Sequence, residues 1–176
     1  WFRREIALLA KLDHPGIARL LDGGTDADGC GYLVMEWIEG RDLDAFAADA
    51  RVDFRRRLDV FEAMLAATAH AHQHLVVHRD LKPANVRVDT VSQPKLLDFG
   101  IALLLDDDTG GAAALKAYTP DWAAPEQIAH ATITTRTDVH ALGRLLFLLL
   151  GGDALAPASL RPEHLQHAPV SARRDL

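Results

Sequence analysis

The sequence predicts an α+β fold in which a small mixed lobe precedes a mostly helical one. Three observations carry this. Two apolar stretches, residues 17–21 and 32–37, flank the turn-forming run Asp22-Gly23-Gly24-Thr25-Asp26-Ala27-Asp28-Gly29. After Gly40 the composition shifts to Ala/Leu-rich segments uninterrupted by glycine or proline. The whole chain, 176 residues with 49% hydrophobic and 25% charged side chains, has the balance of one globular unit with a sizeable core.

In chain order, residues 2–12 place Phe2, Ile6 and Leu9 at helical spacing, with Arg3, Arg4, Glu5 and Lys11 opposite, and Asp13-His14-Pro15-Gly16 ends that helix. Residues 17–21 and 32–37 read as an antiparallel pair. Residues 43–48 and 54–74 read as helices, and 86–88 and 95–97 as short strands joined through Ser92-Gln93-Pro94. Residues 102–117, with three aspartates and two glycines, read as a flexible loop. Residues 140–150 form an apolar, buried helix, and residues 157–176, with three prolines, read as irregular. A boundary near Gly40 divides the chain into a small lobe, 1–40, and a helical lobe, 41–176.

Several function classes are excluded. The longest apolar run, residues 145–150, is far short of the roughly 20 residues that cross a bilayer. A balance of 19 Lys+Arg against 25 Asp+Glu, net charge -6, does not suit a surface built for nucleic-acid phosphates. The single cysteine, Cys30, forms no internal disulfide, so a reducing, cytoplasmic setting is expected. The chain opens on Trp1 with no signal-peptide pattern and reads as a piece of a longer protein.

Three segments carry chemistry: His78-Arg79-Asp80-Leu81-Lys82-Pro83-Ala84-Asn85, then Asp98-Phe99-Gly100, then Ala124-Pro125-Glu126. Transfer of a phosphoryl group from a nucleotide needs a group that orients the attacking hydroxyl and takes its proton, and oxygen ligands for magnesium. Asp80 suits the first task, Asn85 and Asp98 the second, and Lys82 places a cation where negative charge develops.

In these motifs, their order, and the 28 positions from Asp98 to Glu126, the chain resembles a eukaryotic-type Ser/Thr protein kinase domain, most like the bacterial members, from residue 2 to about 151. The resemblance implies a two-lobed protein-kinase-like fold that uses ATP and Mg2+ to phosphorylate Ser or Thr hydroxyls of proteins. It implies that Glu5 on a regulatory helix pairs with a nucleotide-binding lysine, that Met35 is the gatekeeper, and that backbone groups of Glu36, Trp37 and Ile38 hold the adenine edge. It places Asp42 at the ribose, stacks Leu9, Leu20, His78 and Phe99 as a spine, and makes Asp138 the anchor of the catalytic loop. Thr119-Pro120 resembles the substrate-facing loop, where a Thr hydroxyl meets the catalytic Asp and Lys.

The chain also departs from the family. No Gly-rich phosphate loop or strand lysine precedes Glu5, and the helices and Arg partner expected for Glu126 do not follow. Arg87 stands where the family has an aliphatic floor beneath adenine; its stem either lies flat under the base or obstructs the pocket. These departures favour, as alternatives, a pseudokinase acting as a binding or scaffolding module. A small-molecule kinase of related fold is the other alternative, opposed by Lys82 and Ala124-Pro125-Glu126. For regulation, Arg79 is expected to receive a phosphate or acidic group. Thr109 is the candidate phosphorylation site, unless Asp106, Asp107 and Asp108 substitute for the phosphate. His70, His72 and His74 read as surface residues, since no His-Glu-x-x-His pattern accompanies them.

Overall fold

The computed structural model describes residue 6, residues 8–99 and residues 119–151. The readings made for residues 2–5, 7, 102–117 and 157–176, and the roles of Glu5 and Thr109, lie outside the described residues.

Ile6, Leu8 and Leu9 are helical, and the turn closes with Leu12 N donating to Leu9 O at 3.0 Å. The chain then runs past Leu96 instead of entering a hairpin. Leu96 N donates to Gly16 O and Ala18 N to Leu96 O, both at 2.9 Å, and Ile17 forms an isolated parallel bridge with Leu96. Gly16 is required by the crowding here, because a Cβ on it would stand 2.9 Å from Ala67 Cβ. Residues 17 and 18 are therefore spent on Leu96, and the expected strand at 17–21 is displaced toward the C-terminus. It becomes β1 (Leu20–Thr25), antiparallel to β2 (Gly31–Met35), with Leu20 opposite Met35, Thr25 opposite Gly31 and an irregularity between Leu20 and Asp22. The expected turn shrinks to residues 26–30, closed by Asp26 Oδ1 accepting the amides of Asp28 (3.0 Å) and Cys30 (2.8 Å).

A second, three-stranded sheet follows: β3 (Gly40–Asp42), β4 (Val86–Asp89) and β5 (Pro94–Leu96), all antiparallel with β4 in the centre. Sequence reading missed β3, which is three polar residues long. Gly40 permits it, since a Cβ there would lie 2.2 Å from Val88 O. Val86 and Val88 face the core, at 0% and 1% exposure. Arg87 between them projects to the opposite face with its cross-strand neighbours Asp42 and Lys95.

The helices are α1 (Leu43–Ala48), α2 (Phe54–Gln73), α3 (Pro125–Ile128) and α4 (Thr135–Leu149). The Asp53 carboxylate caps α2 by accepting Arg56 N at 2.7 Å. Helix α4 starts five residues before its apolar pattern does, because Thr134 caps it and Asp138 sits in its first turn. Met64, Ala67 and Ala71 of α2 share one core with Leu145 and Leu149 of α4 and with Leu43, Phe46 and Leu96. Each fully buried Leu, Met or Phe contributes about 1.5–3 kcal/mol of transfer free energy. Among the described residues no helix is long and apolar enough to cross a membrane.

One polar group is built into this core. Arg57 is fully buried, and its guanidinium donates to four carbonyls: Ala47 (2.6 Å), Asp49 (2.9 Å), Val52 (3.0 Å) and Leu149 (3.1 Å). It joins the ends of α1 and α4 to the start of α2. Beside it, the Asp49 carboxylate holds Arg51 and Arg41, whose hydrogen bonds keep its carboxyl well below the usual range.

Candidate active site

The loop from His78 to Asn85 is shaped from below by α4. Asp138, at 1% exposure, accepts His78 N and Arg79 N at 2.9 Å each. His72 Nε2 lies 2.7 Å from the same carboxylate. Arg79 is held at φ 70, a left-handed conformation that a non-glycine residue adopts at a cost, and its carbonyl accepts Gln127 Nε2 at 2.7 Å. Gln127 Oε1 in turn accepts Ala124 N at 2.9 Å, which docks the start of α3 under the loop. Leu81, at 2% exposure, plugs into the core, so Asp80 and Lys82 on either side of it are turned outward and half-buried.

Asp80, Lys82, Asn85 and Thr119 form one polar cluster. Lys82 Nζ is 2.7 Å from Asp80 Oδ2 and donates to Thr119 Oγ1 at 2.6 Å. Asp80 Oδ1 accepts both the amide and the hydroxyl of Thr119, each at 3.1 Å. Asn85 closes a turn over Pro83–Asn85 and spends its side-chain nitrogen on Asp80, donating to the carbonyl (2.8 Å) and to Oδ2 (3.1 Å). Its Oδ1 makes no hydrogen bond among the described residues. Leu97 N donates to Asn85 O at 2.9 Å, which brings the chain of Asp98 alongside Asn85. Asp98 is exposed, at φ 51, and its carboxylate makes no hydrogen bond among the described residues. The pair presents hard oxygens, the donor chemistry that magnesium takes. Among the described residues no cluster of three or more His, Cys, Asp or Glu forms a metal cage. Waters and phosphate oxygens would have to complete such a shell.

His78 and Phe99 pack ring against ring, with centroids 4.5 Å apart. Both are buried, neither His78 ring nitrogen has a hydrogen-bond partner among the described residues, and burial pushes the imidazole pKa down. Phe99, Leu9, Leu20 and Met35 line one small cavity, which places the four expected spine residues and the expected gatekeeper in one neighbourhood.

At the edge of the cleft, Glu36 N donates to Arg19 O, and Glu36 Oε1 accepts Arg19 N (2.9 Å) and Lys95 Nζ (2.8 Å). Burial opposes ionisation of Glu36, but these bonds hold its carboxyl below its ordinary range. The Glu36 carbonyl and the Ile38 amide are unspent among the described residues. The head of Arg87 is tied to β3. Its Nη1 is 2.7 Å from Asp42 Oδ1, and its Nη2 donates to Gly40 O. Glu126 accepts the Thr137 hydroxyl at 2.7 Å, which holds its carboxyl below the usual range.

The protein kinase domain family profile matches residues 1–171. The chain belongs to the protein kinase family. It is 36% identical over 178 residues, 98% of its own length, to the serine/threonine-protein kinase PrkC of Bacillus subtilis (strain 168). It is 34% identical, again over 98% of its length, to the serine/threonine-protein kinase PknB of Mycolicibacterium smegmatis. A third relative, the serine/threonine-protein kinase pkn2 of Myxococcus xanthus, is 33% identical over the same share. The chain spans 27%, 29% and 22% of these three relatives. Use of ATP and Mg2+ is general to the family.

Within this kinase domain, sequence reasoning missed Gln127, His72 and Arg57. Gln127 carried a signal, standing three residues after Ala124 at the position whose side chain turns back to a helix N-terminus. The histidines require a correction. Only His74 is exposed. His72 reaches Asp138, and His70 is stacked between His14 (5.1 Å) and His74 (4.4 Å). His70 and His72 lie on opposite sides of α2, each turned toward a chain segment packed there, and His74, just past the end of the helix, is the one open to solvent.

Proposed function

We propose that the protein transfers the γ-phosphoryl group of ATP to serine or threonine hydroxyls of protein substrates, with Asp80 as catalytic base. The observation that carries this reading is the position of the Thr119 hydroxyl. An alcohol oxygen already sits between Asp80 Oδ1 at 3.1 Å and Lys82 Nζ at 2.6 Å, donating to the carboxylate and accepting from the ammonium. A substrate hydroxyl exchanged into that setting would give its proton to Asp80 as its oxygen bonds to the γ-phosphorus. The bond from that phosphorus to the β–γ bridging oxygen breaks, and ADP departs. Lys82 offsets the charge that develops on the transferred group.

Asn85 Oδ1 and the Asp98 carboxylate are the residues suited to hold magnesium, which would supply positive charge to offset that of the nucleotide phosphates. Asn85 is fixed for this role by its nitrogen, which is tied to Asp80. The unspent Glu36 carbonyl and Ile38 amide are the acceptor and donor that would meet the adenine edge. A binding-only reading draws on one observation, the Arg87 head at the cleft. It differs from catalysis in predicting nucleotide binding without turnover.

The test is Asp98→Asn in the full-length protein. We expect ATP affinity to lose its dependence on added Mg2+ and phosphotransfer to a Ser/Thr protein substrate to fall by at least a hundredfold, with the thermal melting temperature unchanged. An unchanged Mg2+ dependence would overturn the assignment of Asp98.

A further inference from the structure

Asp42, Arg87 and Lys95 are direct cross-strand neighbours on one face of the three-stranded sheet, Asp42 opposite Arg87 and Arg87 opposite Lys95. Two cations standing side by side on β4 and β5 repel each other. Each is answered at its outer end: Lys95 by Glu36 at 2.8 Å, Arg87 by Asp42 at 2.7 Å. The result is a charged row from Asp42 to Glu36, in which an apolar residue at position 87 would leave Asp42 without its cation while Glu36 kept Lys95. Arg87 is also pinned at a second point, Gly40 O, so its guanidinium grips the backbone and the side chain of β3 together. A planar head fixed by two acceptors is held in place far better than one making a single exposed ion pair.

The consequence falls on Asp42. Its Oδ1 is occupied, and although Oδ2 retains accepting capacity, the carboxylate charge is already met by a guanidinium. A ribose hydroxyl brings only a neutral donor to a carboxylate that already accepts a charge-assisted bond from a guanidinium, and bonds of that kind are roughly twice as strong as neutral ones, so the hydroxyl does not displace Arg87. Resting on the reading of this cleft as the ATP site with Asp42 at the ribose, we infer that Arg87 is a specificity-determining residue that withholds Asp42 from the ribose. The cleft then binds ATP with little discrimination for the ribose 2′- and 3′-hydroxyls.

The experiment compares dissociation constants of ATP and 2′,3′-dideoxy-ATP, by calorimetry on the full-length protein, for the wild type and for Arg87→Leu. A ratio of two affinities within one protein is insensitive to a partly unfolded fraction. Arg87→Met serves as a second variant if Leu disturbs the sheet. We expect dideoxy-ATP to bind within about twofold of ATP in the wild type. In Arg87→Leu, where Asp42 is released, we expect ATP to bind about fivefold or more tighter than the dideoxy analogue. A wild-type preference for ATP already of fivefold or more, or an unchanged ratio in both variants, overturns the inference and leaves the kinase reading intact. Failure of both nucleotides to bind any of the three proteins overturns the kinase reading, and the inference with it.

Discussion

Asp138 accepts the backbone amide of Arg79 at 2.9 Å from a position 59 residues later in the chain, and this bond holds Arg79 at φ 70. The same carboxylate accepts His78 N and meets His72 Nε2, so one buried charge carries three hydrogen bonds from two segments. Left-handed backbone at a bulky residue costs on the order of 1 kcal/mol and persists only where the surroundings impose it. The geometry of the loop from His78 to Asn85 is therefore imposed by α4 as well as by the loop's own sequence.

Asp138→Ala should then uncouple the loop from the helix. Three donors lose a charged acceptor, which costs about 3 kcal/mol or more in urea unfolding. Nucleotide binding should fall less than turnover, since Glu36 and Ile38, proposed to meet the adenine edge, make no hydrogen bond to Asp138. A destabilisation below about 1 kcal/mol would contradict the role given to this carboxylate.

Acid should weaken the fold through His78. Its folded pKa lies below the ordinary value of about 6.5 because burial disfavours the imidazolium. The unfolded chain takes up the proton first, so stability falls as pH drops below about 6.5, and a group of this kind costs up to about 1.4 kcal/mol per pH unit. His14 is shifted in the same direction, by burial and by His70. His78→Phe keeps a ring against Phe99 and removes the titration. The stability difference between pH 7.5 and pH 5.5 should shrink by about 1 kcal/mol relative to the wild type, measured by urea unfolding at both values.

Arg57→Leu should be among the most damaging single changes in the core. It strips donors from four carbonyls that end α1 and α4 and begin α2. Unsatisfied buried acceptors cost about 1–3 kcal/mol each, so a loss of about 3 kcal/mol or more is expected despite the better hydrophobicity of leucine. Arg57→Lys supplies one compact ammonium in place of a fork and should recover only part of the loss.

How far the sequence reveals this molecule depends on the range of the forces involved. Helices α1 and α2 are legible because 43–48 and 54–74 carry Ala/Leu-rich runs uninterrupted by glycine or proline. Strand β1 was misplaced because Ile17 and Ala18 look like strand residues, yet bond to Leu96, almost 80 positions away. Helix α4 was cut short because its first turn is polar, with Asp138 turned inward. Arg57 and His72 were invisible for the same reason: a charged or polar residue on an amphipathic helix reads as solvated until its distant partners are known. The cluster of Asp80, Lys82 and Asn85 was local enough to pick out from the motif. Its contact with Thr119 came only through the family resemblance, and the fixing of Arg87 by Asp42 and Gly40 required the sheet register.

The most direct test of the central claim is single-turnover phosphoryl transfer from radiolabelled ATP to a Ser/Thr protein substrate by the full-length protein and its Asp80→Asn variant. Asparagine keeps the size of the side chain and the capacity to accept Asn85 Nδ2 but cannot take the hydroxyl proton. The rate constant is expected to fall by about 10²-fold or more, with ATP affinity within a few-fold of wild type. Transfer by Asp80→Asn at more than about a tenth of the wild-type rate would contradict the role of Asp80 as catalytic base.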